Sequence, residues 1–142
     1  MKSSLVVPSG RRKLARGLRF ELLEARTLLA SDVALNLGVL SLTDNAAEPN
    51  SVSIRLVDAG TELEITDAAN INPDGNEASF NDTDTVRYTV ADISSISVVT
   101  NEQVDTLIVD FQGGNPVIGD LTFDAGGQNG DALELLDGTF DT

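Results

Sequence analysis

Asp105-Thr106-Leu107-Ile108-Val109-Asp110-Phe111, then Gly113-Gly114-Asn115-Pro116, then Leu121-Thr122-Phe123-Asp124, carry the pattern that decides the fold. Leu107, Val109 and Phe111 alternate with other residues, and so do Leu121 and Phe123. A period of two turns every second side chain to one face, the mark of a half-buried strand. The pattern extends both ways. Val86, Tyr88 and Val90 alternate upstream, Ile93, Ile96 and Val98 follow after a short corner, and Leu133 and Leu135 close the series. The steps from Val98 to Val109, Val109 to Phe123 and Phe123 to Leu135 are 11, 14 and 12 residues.

Short strands separated by corners of Gly, Asn and Asp fit two architectures. In a β-solenoid each coil stacks on the last. In an antiparallel β-sandwich, turns recur about every 8–12 residues. The polar corners and an aromatic content of only 4% favour the solenoid. The expected fold is therefore all-β: a β-solenoid resembling a parallel β-helix, with an N-terminal hairpin, preceded by a short amphipathic helix. The antiparallel sandwich is the alternative.

The hairpin is read from Val52, Ile54 and Leu56, which alternate with Ser53 and Arg55, and from Leu63 and Ile65 among Glu62, Glu64 and Thr66. Asp58-Ala59-Gly60 supplies turn chemistry between them. Val33 to Val39 reads as a first strand, and the phase shift at Leu40 and Leu42 as its end or a bulge. Asp44 to Ser51, with Asn45, Pro49 and Asn50, reads as a loop. Asp67 to Asp84, rich in Asn and Asp with Pro73 and Gly75, reads as a long polar loop.

The 142 residues suit one domain plus a leader. We place the leader at residues 1–32 and an acidic β domain at 33–142. Residues 1–26 hold seven cations against Glu21 and Glu24, a balance of +5. Residues 27–142 hold only Arg55 and Arg87 against 21 acids, a balance of −19. So acidic a body repels nucleic acid and anionic membranes. The chain has no Cys and no His. That excludes disulfides, thiolate and imidazole metal sites, Cys nucleophiles and His acid–base chemistry.

In the leader, Leu18, Leu22, Ala25 and Leu29 fall on one face at helical spacing, and Ser31-Asp32 ends the helix. About twelve residues make a marginal helix in water, so it needs a surface, a receptor or the β body as partner. Glu21, Glu24 and Arg26 interrupt the apolar run that an ordinary secretory signal requires. The segment is too short and too charged to span a bilayer.

Behind its basic run, the leader holds Arg19, Phe20, Glu21, Leu23, Glu24, Arg26, Leu28, Leu29 and Ala30 in the pattern Arg-Phe-Glu-x-Leu-Glu-x-Arg-x-Leu-Leu-Ala. This motif resembles the N-terminal motif of the planctomycete extracellular protein family. The resemblance covers about twelve residues plus the basic run. It implies an exported or cell-surface protein, with export or surface-sorting machinery as partner of the leader. Proteins of that family are often very large, with β-solenoid, cadherin-like or dockerin-like modules. A chain of 142 residues is short for it, which suggests a truncated or fragmentary product.

Gly126-Gly127-Gln128-Asn129-Gly130-Asp131-Ala132-Leu133 is similar to the Ca²⁺-binding nonapeptide Gly-Gly-x-Gly-x-Asp-x-U-x, with Asn129 at an expected Gly. Asp124 adds a carboxylate beside it. Asp124, Asn129 and Asp131 are thus the candidate Ca²⁺ ligands. Asp105-Thr106-Leu107 matches only the Asp-x-Leu half. Calcium takes about six to eight oxygens, and one degenerate copy makes half a site. The competing reading is a turn whose residues tolerate positive φ.

The expectation is a non-enzymatic exported or cell-surface protein, or the N-terminal fragment of a larger one, with a structural or adhesive role. No catalytic residue is assigned. A Ca²⁺-dependent binding module and a carboxylate glycan hydrolase are the alternatives. Some 50–60 residues of coil are few for a glycan-binding groove. Arg55 and Arg87 are expected on a solvent face beside an acid. Leu135-Leu136-Asp137-Gly138 offers no polar cap for a last coil, so self-association through an open β edge is expected.

Overall fold

A computed structural model describes residues 31–44, 49–68, 70–74, 78–82, 84–101 and 103–138. The expected amphipathic helix and the leader motif at 19–30 lie outside the described residues. Among the described residues the strands are β1 (Ser31–Asn36), β2 (Val39–Asp44), β3 (Ser51–Val57), β4 (Glu62–Asp67), β5 (Ile71–Asp74) and β6 (Phe80–Asn81), then β7 (Thr85–Thr89), β8 (Ser95–Val99), β9 (Thr106–Asp110), β10 (Asp120–Asp124) and β11 (Ala132–Leu136).

These strands form two mixed sheets. One has the order β10-β8-β2-β1-β5, the other β11-β9-β3-β4-β7-β6. Neither matches an antiparallel sandwich, and neither is parallel throughout. Hairpins join β1 to β2 and β3 to β4, and β4 and β6 pair antiparallel with β7. On the other side, β2, β8 and β10 run parallel in one sheet, and β3, β9 and β11 run parallel in the other. The cause lies in the connections. A tight turn returns the chain antiparallel to the strand it has left. From β8 onward each corner carries the chain to the opposite sheet, so the next return to the first sheet is parallel.

The expected 52–65 hairpin is present, with Val57 opposite Glu62 around the Asp58–Gly60 turn. The single strand expected at 33–39 is instead a hairpin. Leu37 at φ 51° and Gly38 at φ 82° form a tight two-residue turn, and Leu40 and Leu42 belong to the returning strand β2. Ser31 and Asp32, expected to end the leader, already belong to β1. The polar stretch 67–84 also differs from expectation. Ile71–Asp74 adds a parallel edge strand to β1, and Phe80–Asn81 a short antiparallel one to β7. Its composition hid both strands, because an edge strand needs no apolar alternation.

The core lies between the sheets in four rows set by register. Leu40 stacks on Ile96 and Leu121, and Leu42 on Val98 and Phe123. Val52 stacks on Leu107 and Leu133, and Ile54 on Val109 and Leu135. The first two members of every row are buried. Tyr88, fully buried, crosses the core and donates its hydroxyl to the Val33 carbonyl at 3.2 Å, tying β7 to β1 across the sheets. Ser31 Oγ donates to buried Asp67 Oδ2 at 2.6 Å, a second tie between the sheets.

Candidate functional site

Each passage from one sheet to the other before β3, β9 and β11 ends on a polar residue: Asn50, Asp105 and Asp131. They stack into a ladder. The Asn50 N–H donates to Asp105 Oδ1 at 2.9 Å, and the Asp105 N–H donates to Asp131 Oδ1 at 3.0 Å. The backbone runs alongside: Thr106 N–H donates to the Asn50 carbonyl and Ala132 N–H to the Asp105 carbonyl, both at 2.9 Å. An N–H withdrawn from water at a corner needs an acceptor. The carboxylate at the start of the neighbouring parallel strand supplies it. Asn50 and Asp105 are buried, and among the described residues Asp105 Oδ2 and both side-chain polar atoms of Asn50 have no hydrogen-bond partner.

Glycines allow close approach at two corners: Gly119 before β10, opposite the ladder, and Gly126 after β10, in the passage that ends on Asp131. A Cβ on Gly119 would lie 2.0 Å from the Ser94 carbonyl oxygen, and one on Gly126 would lie 2.1 Å from that of Asn101. Both glycines hold positive φ, 66° and 73°. Only a residue without Cβ lets the segments flanking β10 approach those flanking β8 this closely.

Of the candidate Ca²⁺ ligands, Asp131 has one carboxylate oxygen engaged by the Asp105 N–H. Asp124 Oδ1 accepts the Gly126 N–H at 3.2 Å within its own turn. Asn129 is exposed in the following turn. Among the described residues no group of three or more Asp, Glu, His or Cys is placed to hold a metal ion. The Asp-x-Leu signal at 105 and 131 was legible in the sequence. Its structural use is to accept the backbone N–H that precedes the neighbouring parallel strand, and Asn50-x-Val52 is a third, more degenerate copy of the pattern.

Arg55 and Arg87 converge on one carboxylate. Register sets Glu64 of β4 between Arg55 of β3 and Arg87 of β7. Arg55 Nε donates to Glu64 Oε1 at 2.7 Å, and Arg87 Nε donates to Oε2 at 2.8 Å. Arg87 also faces Asp58 at 3.6 Å and Glu62 at 4.0 Å. Burial pushes the Glu64 carboxyl up, but the hydrogen bonds and charges of both arginines outweigh it and hold the group below its ordinary value. The hydrogen bond to Glu64 in turn raises Arg87. The two cations of the acidic body thus neutralise a buried acid on the outer face of the six-stranded sheet. Both arginines therefore sit beside an acid, as their place on strands of alternating residues led us to expect.

No protein-family model matches the chain, and comparison with curated proteins and with solved structures gives no match either. Among the described residues no helix is long and apolar enough to cross a membrane.

Proposed function

We propose that the chain is an exported or cell-surface protein, or the N-terminal part of a larger one, with a structural or adhesive and non-enzymatic role. In this reading residues 39–57 and 95–136 are three coils of a β-solenoid: β2 with β3, β8 with β9, and β10 with β11. The remaining strands close its first end. The observation that carries it is the parallel register of the two strand triplets, with continuous apolar rows between them. Such a stack can extend by repetition and present long outer faces, which suits a surface scaffold. The leader motif at 19–30 supports the destination, and the use of Arg55, Arg87, Asp105 and Asp131 in structural contacts supports a non-catalytic body.

The test is localisation of the full chain and of a variant lacking residues 1–30 in a cell that recognises the leader. Export of the first and retention of the second are expected. Cytoplasmic retention of the intact protein contradicts the proposal.

A further inference from the structure

We infer that the face formed by β10 and β11 is a docking edge for one further β-coil of the same pattern, carried by a partner segment whose outward residues are basic or neutral. This rests on the coil reading above and is independent of the destination.

Burial along the rows gives the first reason. Leu107 and Val109 are each 0% exposed, whereas Leu133 and Leu135, the next residues in the same rows, are 52% and 47% exposed. Leu121 and Phe123 of β10 are likewise less covered than Ile96 and Val98. One more coil would place a side chain over each, as the third coil does for the second.

Backbone polarity gives the second. Ala132 N–H donates to Asp105 and the Leu136 carbonyl accepts from Phe111, so alternate residues of β11 face β9. Leu133 and Leu135 therefore turn their N–H and C=O groups to the side away from β9. In β10 the Asp124 carbonyl accepts from Thr100, which leaves Leu121 and Phe123 in the same position. Among the described residues the corner ladder ends here too. Asn50 and Asp105 each donate an N–H to the side chain of the next coil, and the Asp131 N–H occupies the equivalent place.

Charge selects the occupant. Residues 112–138 contain Asp120, Asp124, Asp131, Glu134 and Asp137 and no cation. A second copy pairing about a two-fold axis would run each edge strand antiparallel to itself. Centred on Thr122 and Glu134, that pairing sets Asp120 against Asp124 and Glu134 against Glu134, which is unfavourable. A parallel coil with Lys, Arg, Ser or Thr at the outward positions avoids the repulsion and meets both edges at once. Its required features are a glycine before the first strand, inward apolar residues, and Asp or Asn immediately before the second strand.

The test fuses to the C-terminus, through a flexible Gly/Ser linker, a copy of residues 113–138 with Lys in place of Asp120, Asp124 and Glu134. The linker holds the added coil at an effective concentration of the order of millimolar. The expected result is a monomer whose melting temperature rises by roughly 2–4 °C. The amides of Leu121, Phe123, Leu133 and Leu135 should exchange at least about ten-fold more slowly than in the parent, a change that Leu133→Glu with Leu135→Glu in the parent portion abolishes. Unchanged exchange at these four amides overturns the inference. So does a parent chain in which they are already slow, because a second copy or the leader then covers the face. In the parent, Leu133→Glu with Leu135→Glu should leave the fold intact. Export does not enter these readouts, so failure here leaves the localisation test standing.

Discussion

The two ends of the sheets are built differently. At one end the edge strands are β5, four residues with Pro73 in it, and β6, two residues. Short edges and proline discourage pairing with another strand. At the other end β10 and β11 each present five residues without proline, and β11 carries exposed Leu133, Leu135 and Leu136. The first end is finished by hairpins and the Tyr88 and Ser31 ties between sheets. The second repeats the interior of the stack at a surface. The pairing rule is the same at both ends, and only what covers the last strand differs.

The contrast breaks most sharply in the rows that run from one end to the other. Leu107→Ala should cost about 2–5 kcal/mol, as for any fully buried leucine. Leu133→Ala, in the next place of the same row, should cost less than about 1 kcal/mol. Chemical denaturation of both variants checks this, and equal losses would mean that β11 is covered as well as β9.

Corner stacking comes next. Gly119→Ala meets both a positive φ and the Ser94 carbonyl, so it should destabilise by at least about 1–2 kcal/mol. Gly127→Ala, with nothing within 4 Å of an added Cβ, should be close to neutral.

The ladder is graded in the same direction. Asp105→Ala orphans the buried Asn50 N–H and should cost about 1–3 kcal/mol. Asp105→Asn keeps an acceptor and should recover most of the loss. Asp131→Ala, at the open end and only half-buried, should cost less than Asp105→Ala. A melting series of the three variants gives the order.

The smallest effect lies on the outer face. The Glu64 carboxyl is held below its ordinary value in the fold, so its stabilising contribution is full above the unfolded carboxylate range near 4.5. That contribution is lost as pH falls through the lower folded value. Glu64→Gln should therefore flatten the acid limb of the stability curve below about pH 4.5 while leaving the shape near neutrality unchanged.

Much of this was legible in the residues. The alternating runs at 52–56, 63–65, 96–98, 107–109, 121–123 and 133–135 each became a strand, because burial on one face forces a period of two. The partners of those strands were not legible. Val109 alternates in the same way whether β9 runs parallel or antiparallel to β3, and only the path of the corners decides. The Leu37-Gly38 turn was hidden because Leu37 is an unusual residue at positive φ. The roles of Asp105 and Asp131 were half visible. Asp-x-Leu marks a carboxylate at a corner, but whether that carboxylate serves a cation or a neighbouring N–H depends on what stacks upon it.

Amide exchange along β9 and β11 in the unmodified chain tests the central claim most directly. β9 is flanked by β3 and β11, so all of its amides should be protected. In β11, Ala132, Glu134 and Leu136 should be protected by their bonds to β9, and Leu133 and Leu135 should exchange rapidly. Protection of Leu133 and Leu135 equal to that of Leu107 and Val109 would contradict an open edge at β11.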